Sequence, residues 1–122
     1  MQLEQKSLEY YYETGWPDNI IETLNRSMGQ YQRYYKYVKV GITSDPERRF
    51  GEHKRNRTYD WERMIVVYAT KSVKHANIVE DWFIANRKDL LVNKYKGTSN
   101  MCDSDYYYAY FLIEQGAKIT FW

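Results

Sequence analysis

Lys39-Val40-Gly41-Ile42-Thr43-Ser44-Asp45-Pro46-Glu47-Arg48-Arg49-Phe50-Gly51-Glu52-His53 reads as a strand, a tight turn and the first turns of a basic helix. Val38, Val40 and Ile42 alternate with Tyr37, Lys39 and Gly41, the period of two expected of a strand with one apolar face. Gly41 puts no side chain on the second face, a common mark of close approach by a ligand or another backbone. Ser44 or Asp45 can cap the helix, and Pro46 suits its first position because the missing N–H would have no partner there. Arg49 and His53 are four residues apart and share one face of that helix. A strand lysine, Lys39, can therefore converge with Arg49 and His53 on a single anion.

Composition narrows the function classes. The chain has 122 residues, enough for one domain with a modest core. A single cysteine, Cys102, rules out an internal disulfide and a cysteine-based zinc site, and fits a reducing intracellular compartment, cytoplasmic or nuclear. No apolar run approaches membrane-spanning length, and Met1–Lys6 lacks the apolar core of a signal peptide, so no membrane role is expected. The net charge of +2 is unevenly spread. From Arg33 to Arg57 eight basic residues face three acidic ones, which fits a polyanionic partner. Arg48, Lys54, Arg55 and Arg57 are the nucleic-acid-binding candidates, against the plainer reading of a solvated basic face. Fourteen tyrosines and four tryptophans can stack on bases, although large aromatics more commonly fill small cores.

Outward from the opening stretch, Leu3, Leu8 and Tyr10–Tyr12 predict a short helix within 1–14, broken at Thr14-Gly15. Trp16-Pro17-Asp18-Asn19 starts a second helix, with Ile20, Ile21 and Leu24 as its apolar stripe to about Asn25 and Gly29 as its latest end. Beyond the Pro46–Asn56 helix, Met64–Ala69 is a continuous apolar run rich in β-branched residues, the pattern of a strand covered on both faces. Ser72 can cap a helix over Val73–Lys88, whose apolar surface surrounds Glu80. A carboxylate so placed needs a cation or a metal to offset its burial, or must keep its head in water at the helix edge. Asp103 or Ser104 can cap a last helix, Asp105–Gln115, with Gly116 just past its end and a terminal strand over Ala117–Trp122.

The run Val-Gly-x-Thr, then Asp-Pro-Glu-Arg-Arg-Phe and a histidine four residues past the second arginine, resembles the second half of the GIY-YIG nuclease motif. Lys39-Val40-Gly41 stands where that family has Tyr-Ile-Gly, a lysine also carried by viral and restriction-type branches. The resemblance covers roughly residues 28–97 as a nuclease core, leaving 1–27 as a helical extension and 98–122 as a C-terminal helix and strand of one domain. It implies an α+β fold, with a small three-stranded, mainly antiparallel sheet flanked by helices. It places an essential arginine at Arg49, a metal-binding glutamate at Glu80 and a hydrogen-bonding asparagine at Asn93. A first strand is implied near Gln30–Lys36, with a catalytic tyrosine at an unsettled position: Tyr31, Tyr34, Tyr35 or, from its place beside Lys39, Tyr37.

The implied activity is hydrolysis of DNA phosphodiesters (RNA being the alternative substrate) with Mg²⁺ or Mn²⁺ on Glu80. Two other readings stay open at this level. One is a catalytically degenerate nucleic-acid-binding module on the same fold; the other is a protein-interaction domain with a tyrosine-rich surface.

Overall fold

Alternation and capping act as expected around the opening stretch. Strand β2 (Tyr37–Thr43) runs into helix α2 (Pro46–Lys54), with Pro46 in the first turn and the Asp45 carboxylate accepting the Arg48 N–H at 3.2 Å. The computed structural model describes residues 6–55, 58–87, 91–92 and 103–114. Asn93, Arg57, Cys102 and the expected terminal strand over 117–122 lie outside them.

Numbered in chain order, the other elements are β1 (Ser7–Glu13), α1 (Pro17–Tyr34), β3 (Arg63–Thr70), α3 (Val73–Asn86) and β4 (Tyr107–Glu114). The class is α+β. The sheet has four strands rather than three, in the order β1-β3-β4-β2. β1 runs parallel to β3, and β4 runs antiparallel to both β3 and β2.

Three expectations are corrected. Asp105–Gln115 is not a helix: Tyr107–Glu114 is a strand inside the sheet. A strand with neighbours on both edges and cover on both faces is apolar at every position, so its sequence loses the alternation that tells strand from helix. Residues Ser7–Glu13 form an edge strand, not a helix. The Glu9 carboxylate and the Arg63 guanidinium pair through two hydrogen bonds of 2.6 Å and tie that edge to β3. Finally, no strand precedes β2 at Gln30–Lys36, because α1 continues to Tyr34. Its apolar stripe, Ile20, Leu24 and Met28, carries through Gly29. The roughly 1 kcal/mol that a helical glycine costs is offset by that packing. The Arg87 guanidinium passes over Gly29, and Arg87 Nε donates to Asn25 Oδ1 at 2.6 Å.

The two faces of the sheet bury different sets. One packs Val38, Val40, Ile42, Phe111 and Ile113 beneath α1 and α3. The other gathers Met64, Tyr110, Leu112, Phe50 of α2 and Trp61. Lys39 and Gly41 fall on this second face by alternation.

Candidate active site

Strand pairing sets Gly41 directly opposite Tyr110 of β4. The phenol ring lies across the glycine: a Cβ there would stand 2.5 Å from Tyr110 Cζ and 2.9 Å from Cε1. The bare position in β2 thus admits a side chain from the far end of the chain. Tyr110 is 1 % exposed, and its hydroxyl meets two groups from α2. His53 Nε2 lies 2.9 Å away, and Arg49 Nε–H donates to the same oxygen at 3.4 Å. The other end of the Arg49 guanidinium donates to Glu52 at 2.8 Å.

Burial governs the electrostatics. Burial, then the Arg49 charge, lowers the Lys39 ammonium from its ordinary value, with Glu80 acting in the opposite sense. Burial, then Arg49 and Lys39, depresses His53 to about 3, so its ring is neutral near pH 7. Burial raises the Tyr110 phenol to about 12, against the pull of Arg49. The phenol therefore keeps its one proton and can offer it to His53 Nε2 while accepting from Arg49. Burial acts against the Arg49 charge, but Tyr110 and Glu52 outweigh it and its pKa is raised. Glu80 is 7 % exposed on α3 and lies within electrostatic reach of both Lys39 and Tyr110.

Arg49 and His53 are accordingly gathered at Tyr110 by hydrogen bonds, with Lys39 and Glu80 brought within electrostatic reach of the group. Tyr31 is not. It belongs to α1, on the opposite face of the sheet and edge-on to Phe111 at 6.2 Å, because the segment expected to be a strand is the end of a helix. Tyr37 is on the correct face, but its ring packs edge-on against Tyr59 at 5.1 Å. Arg48, Lys54 and Arg55 are exposed along α2. Tyr110 was missed because its run read as helical packing; the one signal for it was the empty face at Gly41.

A model of the T5orf172 domain family matches residues 20–108, nearly three quarters of the chain. The chain belongs to the T5orf172 domain family. This family is linked to nuclease-type domains in phage and bacteria. The T5orf172 match holds Lys39, Arg49, His53 and Glu80 and stops two residues short of Tyr110. No curated protein and no solved structure matches the chain. Among the described residues, no helix is long and apolar enough to cross a membrane.

The depressed His53 pKa has a consequence for stability. An unfolded-chain histidine titrates near 6.5. Between about pH 6.5 and about 3 the unfolded chain binds a proton that the folded chain refuses. Stability from this group is complete above that window and falls as the pH drops through it, by about 1.4 kcal/mol per pH unit. Urea unfolding at pH 7 and pH 4.5 checks this. His53→Gln is expected to lose about 2–3 kcal/mol less than the unsubstituted chain over that interval. Equal losses would show that the imidazole is not held neutral.

Proposed function

We propose that the chain is a metal-dependent endonuclease of the GIY-YIG type, hydrolysing DNA phosphodiester bonds. The observation that supports the reading is the hydrogen-bonded Arg49–Tyr110–His53 group with Lys39 and Glu80 in electrostatic reach of it. Two cations beside a neutral hydrogen-bonded pair suit a phosphodiester that gains negative charge as it reacts.

Arg49 can place two N–H groups on the phosphate oxygens. Its side chain is 42 % exposed, so a substrate can reach it. Lys39 supplies a second positive charge, and an arriving phosphate strengthens its ammonium form by direct attraction. The attacking water gives its proton to solvent, because Tyr110 and His53 both hold to their neutral forms and serve to fix Arg49 in place. The new P–O bond forms as the bridging P–O bond breaks, and the leaving oxygen takes a proton from solvent.

Glu80 is the residue that would hold a divalent ion. Among the described residues no three His, Cys, Asp or Glu side chains can hold a metal together. One buried carboxylate fits Mg²⁺ or Mn²⁺, which keep most of their water shell, and does not fit Zn²⁺, which takes three or four side-chain ligands. Such an ion, when bound, supplies polarisation of the phosphate and stabilisation of the leaving oxygen.

A supercoiled-plasmid nicking assay tests the reading. Nicking is expected with Mg²⁺ or Mn²⁺ and is expected to disappear with chelator or in Glu80→Gln, while plasmid binding stays within about twofold. Salt-sensitive binding with no nicking under any metal would identify the binding-only module instead. The chain has neutral forms of both Tyr110 and His53 at rest, which is the feature that favours this second reading.

A further inference from the structure

The tyrosine at the centre of the cluster is the third in a row. Tyr108 and Tyr110 point to the same face of β4 by alternation. Tyr106, one residue before the strand, places its ring 6.5 Å from that of Tyr108. The row ends at a cavity of about 410 Å³, lined by Gly15, Trp16, Thr70, Lys71, His75 and Tyr106 among others. Two large aromatics are exposed there, Trp16 at 66 % and Tyr106 at 44 %. Lys71 Nζ stands 5.7 Å from the Tyr106 ring centre, and His75 packs 4.8 Å from Trp16. No carboxylate is among the described residues that line the cavity.

An exposed tryptophan becomes a platform only if its backbone is fixed, and this one is. The Trp16 carbonyl accepts the Asn19 N–H at 2.9 Å, and the Tyr68 hydroxyl donates to the neighbouring Gly15 carbonyl. Gly15 has φ of +108°, a turn conformation that glycine adopts without strain.

We infer that this cavity is a nucleobase subsite: an unpaired base of the substrate strand stacks on Trp16 and Tyr106, and Lys71 takes an adjacent phosphate. The inference rests on the endonuclease reading for its account of where the strand leads. From Tyr106 to Tyr110 is about 13 Å along an extended chain, a span of about four stacked nucleotides at 3.4 Å each. Base–aromatic stacking needs no particular base, so the subsite selects unpaired structure and not sequence. The substrate class it specifies is DNA with single-stranded nucleotides beside the bond to be cut.

Binding in chelator separates this subsite from the chemistry. The probes are a fluorescently labelled oligo-dT and a blunt duplex of equal length, titrated against the full chain, Trp16→Ala, Tyr106→Ala and Trp16→Phe. Oligo-dT is expected to bind more tightly than the duplex. Each alanine substitution should weaken it about fivefold to a hundredfold, with Trp16→Phe restoring most of the loss. Trp16 makes no side-chain capping bond, and unchanged thermal unfolding will show that the variants fold. Loss of oligo-dT binding in the variants supports the subsite even if no plasmid is ever nicked. Nicking by wild type with oligo-dT affinity unchanged in both alanine variants overturns the subsite and leaves the nuclease standing. Absence of oligo-dT binding, or equal affinity for the duplex, also overturns it.

Discussion

Gly41→Ala is expected to lower stability by about 1–3 kcal/mol, the usual range for overpacking a filled core. The added methyl group would fall 2.5 Å from Tyr110 Cζ, a separation that packed atoms do not sustain. The ring has no room to retreat. It is 1 % exposed, hydrogen-bonded to His53 at 2.9 Å, and flanked in the same cluster by Phe50, Met64 and Leu112. Either β2 and β4 separate locally or the phenol leaves its place and gives up His53. The measurement is a double-mutant cycle by urea unfolding of wild type, Gly41→Ala, Tyr110→Ala and the pair. Once the ring is gone, the methyl group at residue 41 meets empty space, so the two effects should fail to add by more than about 1 kcal/mol, as contacting residues do. Additivity within about 0.5 kcal/mol would show that the ring does not lie over the glycine.

That same pair marks the limit of what the sequence discloses. Local signals were readable where local physics decides the outcome. Alternation through Val38, Val40 and Ile42 set β2, Asp45-Pro46 opened α2, and Ser72 capped α3 by accepting the His75 N–H at 3.2 Å. The strand expected at Met64–Ala69 spans Arg63–Thr70. The apolar surroundings of Glu80 were also legible, and the glutamate is buried.

The failures share a cause: a distant partner overrode the local pattern. Tyr107–Glu114 offers apolar residues at both strand and helix spacing, and only its place between β2 and β3 decides between them. Gly29 is a helix stop by propensity, yet packing of Met28 and the passage of Arg87 carry α1 beyond it. The tyrosine of the site was sought within ten residues of Lys39 and came from the opposite end of the chain. An empty strand face announces that something approaches, without naming what.

Arg49→Ala is expected to slow strand cleavage by about a hundredfold to a thousandfold, the range seen when one preorganised charge donor is removed. The reasoning is geometric. Arg49 alone among the clustered cations is fixed at both ends, through Nε on Tyr110 and through the other arm of its fork on Glu52. It can therefore meet developing negative charge without reorganising. Arg49→Lys should recover little, since an ammonium cannot span Tyr110 and Glu52 while forking onto a phosphate. Single-turnover cleavage at saturating DNA isolates this effect, because a lost ground-state contact would weaken binding instead. A second readout does not depend on turnover. Arg49 is one of the charges that depress His53, so its removal should raise the imidazole pKa from about 3 toward the ordinary value, visible by NMR titration. A raised histidine pKa with cleavage slowed less than threefold would place Arg49 beside the imidazole but not on the reacting phosphate. An unmoved pKa would remove Arg49 from the cluster altogether.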